Sequence, residues 1–120
     1  MIPTENAEQA ALFQWAEYAK CKYPELGLMY AIANGGKRDK ITAVTLQRTG
    51  VKPGVPDVCL PVPRGQHGSL YVEMKVVNGG RVSKEQKEWI KNLTEAGNRA
   101  VVCKGWEAAR DAITDYLDGK

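Results

Sequence analysis

The sequence predicts an α/β domain: a mixed β-sheet flanked by helices, in the chain order α-β-α-β-β-α-β-α. Three observations carry that reading. Segments with apolar residues at helical spacing alternate with short apolar runs of strand length. Two of those runs, 57–62 and 70–77, are joined by a polar loop and read as hairpin partners. The last strand–helix–strand unit needs a crossover, which favours a mixed sheet with helices over both faces.

Each element has its own local reason. Thr4 is an N-cap for a helix from Glu5 to Lys20, with Ala7, Ala11, Trp15 and Tyr18, beside Leu12 and Ala19, as its apolar stripe. Pro24 and Gly27 close the connection to a short apolar strand, 28–33, which ends at the turn Asn34-Gly35-Gly36. Residues 39–48 read as a second helix with Ile41, Val44 and Leu46 facing inward and Gly50 as its stop. The rigid stretch from Lys52 to Pro56 leads into strand 57–62, which Pro61 keeps short or at an edge. After strand 70–77, Asn78-Gly79-Gly80 turns the chain. Ser83 and Gln86 have capping-box spacing and open a helix that runs to Ala96 before Gly97. A brief strand, 100–103, precedes a last amphipathic helix, 106–117, with Ala109, Ile113 and Tyr116 at helical spacing.

Composition bounds the rest. With 120 residues, 43% hydrophobic and 26% charged, the chain suits a single domain, 1–120, that buries a core without disulfides. Cys21, Cys59 and Cys103 are odd in number and far apart, so a structural zinc site is not expected; Cys59 and Cys103 read as small core residues. There is no leader-like apolar block and no run of membrane-spanning length, so a cytoplasmic location without membrane partners is expected. The net charge of +3 permits nucleic acid without demanding it, but basic residues crowd the segments before and after Asp57.

The chemistry gathers on the hairpin. Alternation puts Leu70, Val72, Met74 and Val76 on one face of the strand and Tyr71, Glu73, Lys75 and Val77 on the other. A carboxylate and an ammonium thus share one face of a segment otherwise apolar enough for a core, where charge is costly without compensation. Asp57 and Glu73 fall at paired ends of neighbouring strands, so their oxygens can converge on one hard divalent cation, with the Met74 carbonyl as a further ligand. Magnesium suits such a donor set, and Lys75 would then orient the attacking water and offset transition-state charge. A Glu-x-Lys pair on a strand is commonly an exposed ion pair worth under about 1 kcal/mol. The apolar neighbours, the Pro56-Asp57 step and the hairpin spacing favour chemistry instead.

The composite Gly54-Val55-Pro56-Asp57, Tyr71-Val72-Glu73-Met74-Lys75 and Gln86 resembles the PD-(D/E)XK nuclease superfamily. More narrowly, the chain resembles the virus-type replication–repair nuclease (VRR-NUC) domain in further blocks: Glu5 to Gln9, Asn34 to Arg38, Gly50 to Asp57 and Ser83 to Trp89. The resemblance spans nearly the whole chain and is to stand-alone, phage-like members. It implies a restriction-endonuclease-like sheet and a magnesium- or manganese-dependent endonuclease cutting branched DNA, flaps or four-way (Holliday) junctions, as a homodimer. By position it makes Asp57, Glu73 and Glu5 metal ligands, Lys75 the water-orienting base and Glu5 the helix-one acid. Glu8, one turn on, rivals Glu5, and both also suit a helix N-terminus.

Gln86 can complete the capping box or turn its amide toward the site. Lys37, Arg38 and Arg48 are candidate phosphate contacts that orient DNA without reading bases. Trp89 and Trp106 read as core or interface residues, and His67 as incidental. The rival functions are a DNA-junction-binding module that does not cut and a flap-type nuclease. Sequence-specific cleavage would need base-reading segments for which 120 residues leave little room.

Overall fold

A computed structural model describes residues 3–33 and 40–120. The expected turn at residues 34–36, Lys37, Arg38 and the start of the second helix at Asp39 lie outside the described residues, as does the side chain of Ile41.

The expected order of elements is present. They are α1 (Glu5–Ala19), β1 (Tyr30–Ala31), α2 (Lys40–Arg48), β2 (Val58–Leu60), β3 (Leu70–Lys75), α3 (Lys84–Glu95), β4 (Arg99–Lys104) and α4 (Trp106–Leu117), with a 3-10 turn at Pro24–Leu28. The sheet runs β1-β2-β3-β4. The first two pairings are antiparallel and β3–β4 is parallel, so the sheet is mixed and α3 is the crossover.

Register decides which side chains reach which face. Val58 sits opposite Val72, and Leu60 opposite Leu70. This row of the sheet, with Met74, meets Leu12 and Ala16 of α1 and Ala109 and Ile113 of α4 in the hydrophobic core. Tyr71, Glu73 and Lys75 therefore point to the other face, toward α3, which packs along β4.

Four local expectations are corrected. The first strand is shorter than 28–33, because Pro24 at the start of a 3-10 turn draws the chain through Leu28. Strand pairing still reaches beyond it, since the Ile32 N–H donates to the Asp57 carbonyl at 2.7 Å. The buried line of α1 is Glu8, Leu12 and Ala16, while Ala7 and Tyr18 are exposed; the helix is rotated from the expected stripe so that its larger aliphatic side chain meets the sheet. Val44 of α2 is exposed, against the inward direction expected of it, and Leu46 is half-buried. Finally, β2 ends at Leu60 because Pro61 has no N–H to pair, and the Val62 N–H turns back to the Leu60 carbonyl at 2.9 Å.

Candidate active site

The site is assembled where the segment after Pro56 meets β3. Pro56 is buried, and its ring restricts the backbone that delivers Asp57. Asp57 Oδ2 accepts the Met74 N–H at 2.7 Å, extending the hairpin by one side-chain bond beyond the β2 backbone. Along a strand, the N–H and C=O of one residue point to the same side, and consecutive residues alternate. The Lys75 carbonyl accepts the Gly105 N–H on the β4 side at 2.8 Å. The Met74 carbonyl is accordingly directed to the Asp57 side.

Glu73 is 1% exposed and Lys75 5% exposed. Lys75 Nζ lies 3.6 Å from Glu73 Oε2, and Gln86 Nε2 donates to the same oxygen at 3.1 Å. Glu73 Oε1 has no hydrogen-bond partner among the described residues and is buried. Burial, followed by the charge of neighbouring Asp57, pushes the Glu73 carboxyl up to about 8, against the opposing pull of Lys75. Two carboxylates thus lie close together, and burial disfavours charge on Glu73. A hard divalent cation answers the repulsion and the orphaned oxygen together, so Asp57, Glu73 and the Met74 carbonyl fit such an ion by chemistry. Among the described residues no third His, Cys, Asp or Glu joins the pair in a ready-made cage. That composition suits magnesium, which keeps much of its shell as water and substrate oxygen.

Gln86 fulfils both of its readings. Its Oε1 accepts the Ser83 N–H at 2.8 Å and its backbone N–H donates to Ser83 Oγ at 3.1 Å, completing the capping box. The amide nitrogen is left to reach Glu73. At N3 of a capped helix the side chain must fold back toward the cap, and the sheet lies there.

Two clamps fix α3 to the loop that carries Asp57. Gly54 has φ +87°, and a Cβ on it would stand 2.7 Å from the Glu85 backbone, so only glycine admits this approach. Beside it, Trp89 Nε1 donates to the Pro53 carbonyl at 3.0 Å. Trp89 is half-buried and serves this contact instead of the core, whereas Trp106 packs against the core as expected. The Gly54 clamp was not legible from composition. The spacing Ser83-x-x-Gln86-x-x-Trp89 is its partial signal, since it places the cap, the amide and the indole on one flank of the helix.

The acids of α1 separate. Glu5 is exposed in the first turn, so its expected role as a ligand is not supported by its position. Glu8 is buried, and its Oε1 accepts the Trp106 N–H at 3.1 Å. It thereby caps α4, whose N-cap Gly105 offers no side chain, and stands beside the residue that bonds Lys75. Arg48 ends α2 exposed to solvent. His67 packs on Tyr116 with ring centroids 6.4 Å apart.

A mixed sheet with helices on its faces, bearing two converging carboxylates and a lysine at the end of one strand, defines a nuclease-type fold. The chain belongs to the VRR-NUC domain family, whose model matches residues 4–107. A solved structure, a VRR_NUC domain protein, is similar to the chain at 27% identity with a TM-score of 0.86, the alignment covering 100% of this chain and 93% of that one. No curated protein matches it. Among the described residues, no helix is long and apolar enough to cross a membrane.

Proposed function

We propose that this protein is a magnesium- or manganese-dependent endonuclease that hydrolyses phosphodiester bonds in branched DNA, four-way junctions first, as a homodimer whose two sites make paired cuts. The observation that carries the reading is the buried Glu73 with one oxygen held and one free. Gln86 and Lys75 both engage Oε2, and Oε1 is buried with no hydrogen-bond partner among the described residues. Family membership and the basic residues around Asp57 support DNA as the partner.

In this reading Asp57, Glu73 and the Met74 carbonyl would hold the cation. When bound, such an ion neutralises charge on the phosphoryl group and acidifies water. Lys75, its ammonium held in place by Glu73, orients the attacking water and offsets charge on the pentavalent transition state. Gln86 keeps the Glu73 carboxylate from rotating. Glu8, being buried near the end of β3, takes the helix-one role in preference to Glu5. Lys37, Arg38 and Arg48 contribute phosphate contacts that position DNA without reading sequence.

The test is a cleavage panel of four-way, flap, splayed and linear DNA, with cut positions mapped in magnesium and in EDTA. Symmetric cuts near the crossover, lost in EDTA and in Asp57→Asn, are expected. Cutting confined to flaps would replace junction resolution, and tight junction binding with no cutting of any form would make the protein a binding module.

A further inference from the structure

A second basic site lies at the opposite end of β3 from Glu73. The Arg64-to-His67 turn closes on itself through two backbone hydrogen bonds of 3.0 and 2.9 Å, with Gly65 supplying a φ of +56°. It lies over the end of α4, forming a cleft of about 330 Å³ lined by Arg64, Gln66, His67, Arg99, Tyr116 and Lys120, and no acidic residue is part of that lining. The walls are built, not incidental. Arg64 Nε donates to the Leu117 carbonyl at 3.2 Å and Nη1 to the Pro63 carbonyl at 2.8 Å, while Nη2 pairs with Glu25 outside the cleft. The buried Tyr116 hydroxyl donates to the Val62 carbonyl at 2.6 Å, and its ring supports His67.

The charges inside are unequal. Glu25 answers Arg64, but Arg99 and Lys120 form no ion pair among the described residues. Arg99 and Lys120, without an ion-pair partner among the described residues, therefore line a concave space that also holds imidazole and amide donors. That is the chemistry of an oxyanion receptor, and the planar fork of arginine suits phosphate oxygens.

We propose that this cleft is a phosphate-binding site separate from the carboxylate centre, and that its occupant is a backbone phosphate of the same DNA. The DNA source rests on the nuclease reading above; the phosphate chemistry does not. Arg99 pairs with Leu70, and Val102 and Lys104 pair with Glu73 and Lys75. Arg99 therefore shares the face of Leu70, with α1 and α4, while Glu73 and Lys75 stand on the other face, so at ~3.3 Å per strand residue the two sites are roughly 10–17 Å apart along the sheet and lie on opposite sides of it. A straight arm along the carboxylate face does not reach the cleft, but a second arm of a branched DNA passing round the end of the sheet does, and with one charge per ~1.7 Å of axis it has phosphates available there.

The test uses the double substitution Arg99→Ala with Lys120→Ala, both exposed, placed in an Asp57→Asn background so that binding is read without cutting. Circular dichroism checks the fold. Junction affinity should fall about tenfold, and the slope of log affinity against log salt should flatten by up to about 2. In parallel, inorganic phosphate and a deoxymononucleotide are titrated while the His67 ring resonances are followed. Shifts at millimolar ligand that vanish in the double variant would assign the cleft to small phosphates even if DNA affinity is unmoved. Unchanged DNA affinity and salt slope with unmoved His67 resonances overturn the proposal and leave the nuclease reading intact. A chain that binds no DNA but shifts with phosphate defeats the nuclease reading and keeps the cleft.

Discussion

Gln86 holds Glu73 by the same side chain that caps α3: its nitrogen donates to Glu73 Oε2 at 3.1 Å while its oxygen accepts the Ser83 N–H at 2.8 Å. Helix start and carboxylate orientation are therefore one unit, and two substitutions separate them. Gln86→Glu keeps a capping-box acceptor but sets a third carboxylate against Glu73. Ser83→Ala removes the cap and leaves the amide. We expect Gln86→Glu to reduce junction nicking at least tenfold with helix content retained. Ser83→Ala should lower stability by about 1 kcal/mol in denaturant melts and reduce nicking less. Equal nicking in Gln86→Glu and wild type would remove Gln86 from the site.

Glu73 should make the metal-free protein less stable as pH rises. Its carboxyl is raised from 4.5 to about 8 in the fold, chiefly by burial and then by Asp57. A raised value means that the native state binds the proton more tightly than the unfolded chain. The resulting stability is full below about 4.5 and is lost as pH climbs through about 8, at a slope of up to roughly 1.4 kcal/mol per pH unit in between. Urea unfolding in EDTA from pH 5 to 8.5 reads that slope. Glu73→Gln, a mimic of the protonated form, should flatten it and be the more stable protein at pH 8. A wild-type slope of zero would mean that the fold does not raise the Glu73 carboxyl.

Asp57 has two duties, and its substitutions should divide accordingly. Removing a like charge relieves Glu73, which is stabilising. Asp57→Ala also strips the acceptor from the Met74 N–H, a backbone donor of a buried residue, at a cost of about 1–3 kcal/mol. Asp57→Asn keeps an oxygen for that N–H. The asparagine variant should therefore melt at or above the wild-type temperature in EDTA, the alanine variant below it, and both should lose nicking. Comparable nicking by Asp57→Asn and wild type would contradict the metal assignment.

Gly54 tests whether the α3 clamp matters for chemistry. An alanine there meets the Glu85 backbone at 2.7 Å and must adopt φ +87°, so the helix has to move. Glu85 precedes Gln86, and the displacement reaches Glu73 directly. Gly54→Ala should cost more than about 1 kcal/mol and reduce nicking further than Trp89→Phe, which deletes one hydrogen bond to Pro53. Wild-type nicking in Gly54→Ala would show that the site tolerates a shifted α3.

Much of the fold and the centre of the site could be read from residues alone, because strand alternation and hairpin register are local rules. Glu73 and Lys75 share a face for that reason, and Asp57 reaches β3 because β2 pairs with it. The first strand is shorter than its apolar run suggests, since an apolar run at Leu28 does not distinguish a strand from the 3-10 turn that Pro24 begins. The phase of α1 was offset for a related reason: with apolar residues on several sides, the sheet and α4 decide which line is buried. His67 carried no pattern, because its partner Tyr116 comes from α4 by tertiary packing. Gln86 was ambiguous only because one amide has two ends, and the fold uses both.

The same tertiary decision separates the two acids of α1. Glu8 and Glu5 both occupy its first turn, and the partner that distinguishes them, the Trp106 N–H, is 98 residues away in sequence. Glu8→Gln keeps an oxygen to accept that N–H and loses only the charge facing the N-terminus of α4, worth about 0.3–1 kcal/mol. Glu5→Gln alters an exposed side chain. If Glu8 is the helix-one acid, Glu8→Gln should reduce nicking more than tenfold with a stability change under about 1 kcal/mol, and Glu5→Gln should leave both near wild type. The opposite pattern, with Glu5→Gln inactive and Glu8→Gln active, would restrict Glu8 to capping α4 and return the role to Glu5. Stability and nicking measured on the two single variants therefore decide the assignment.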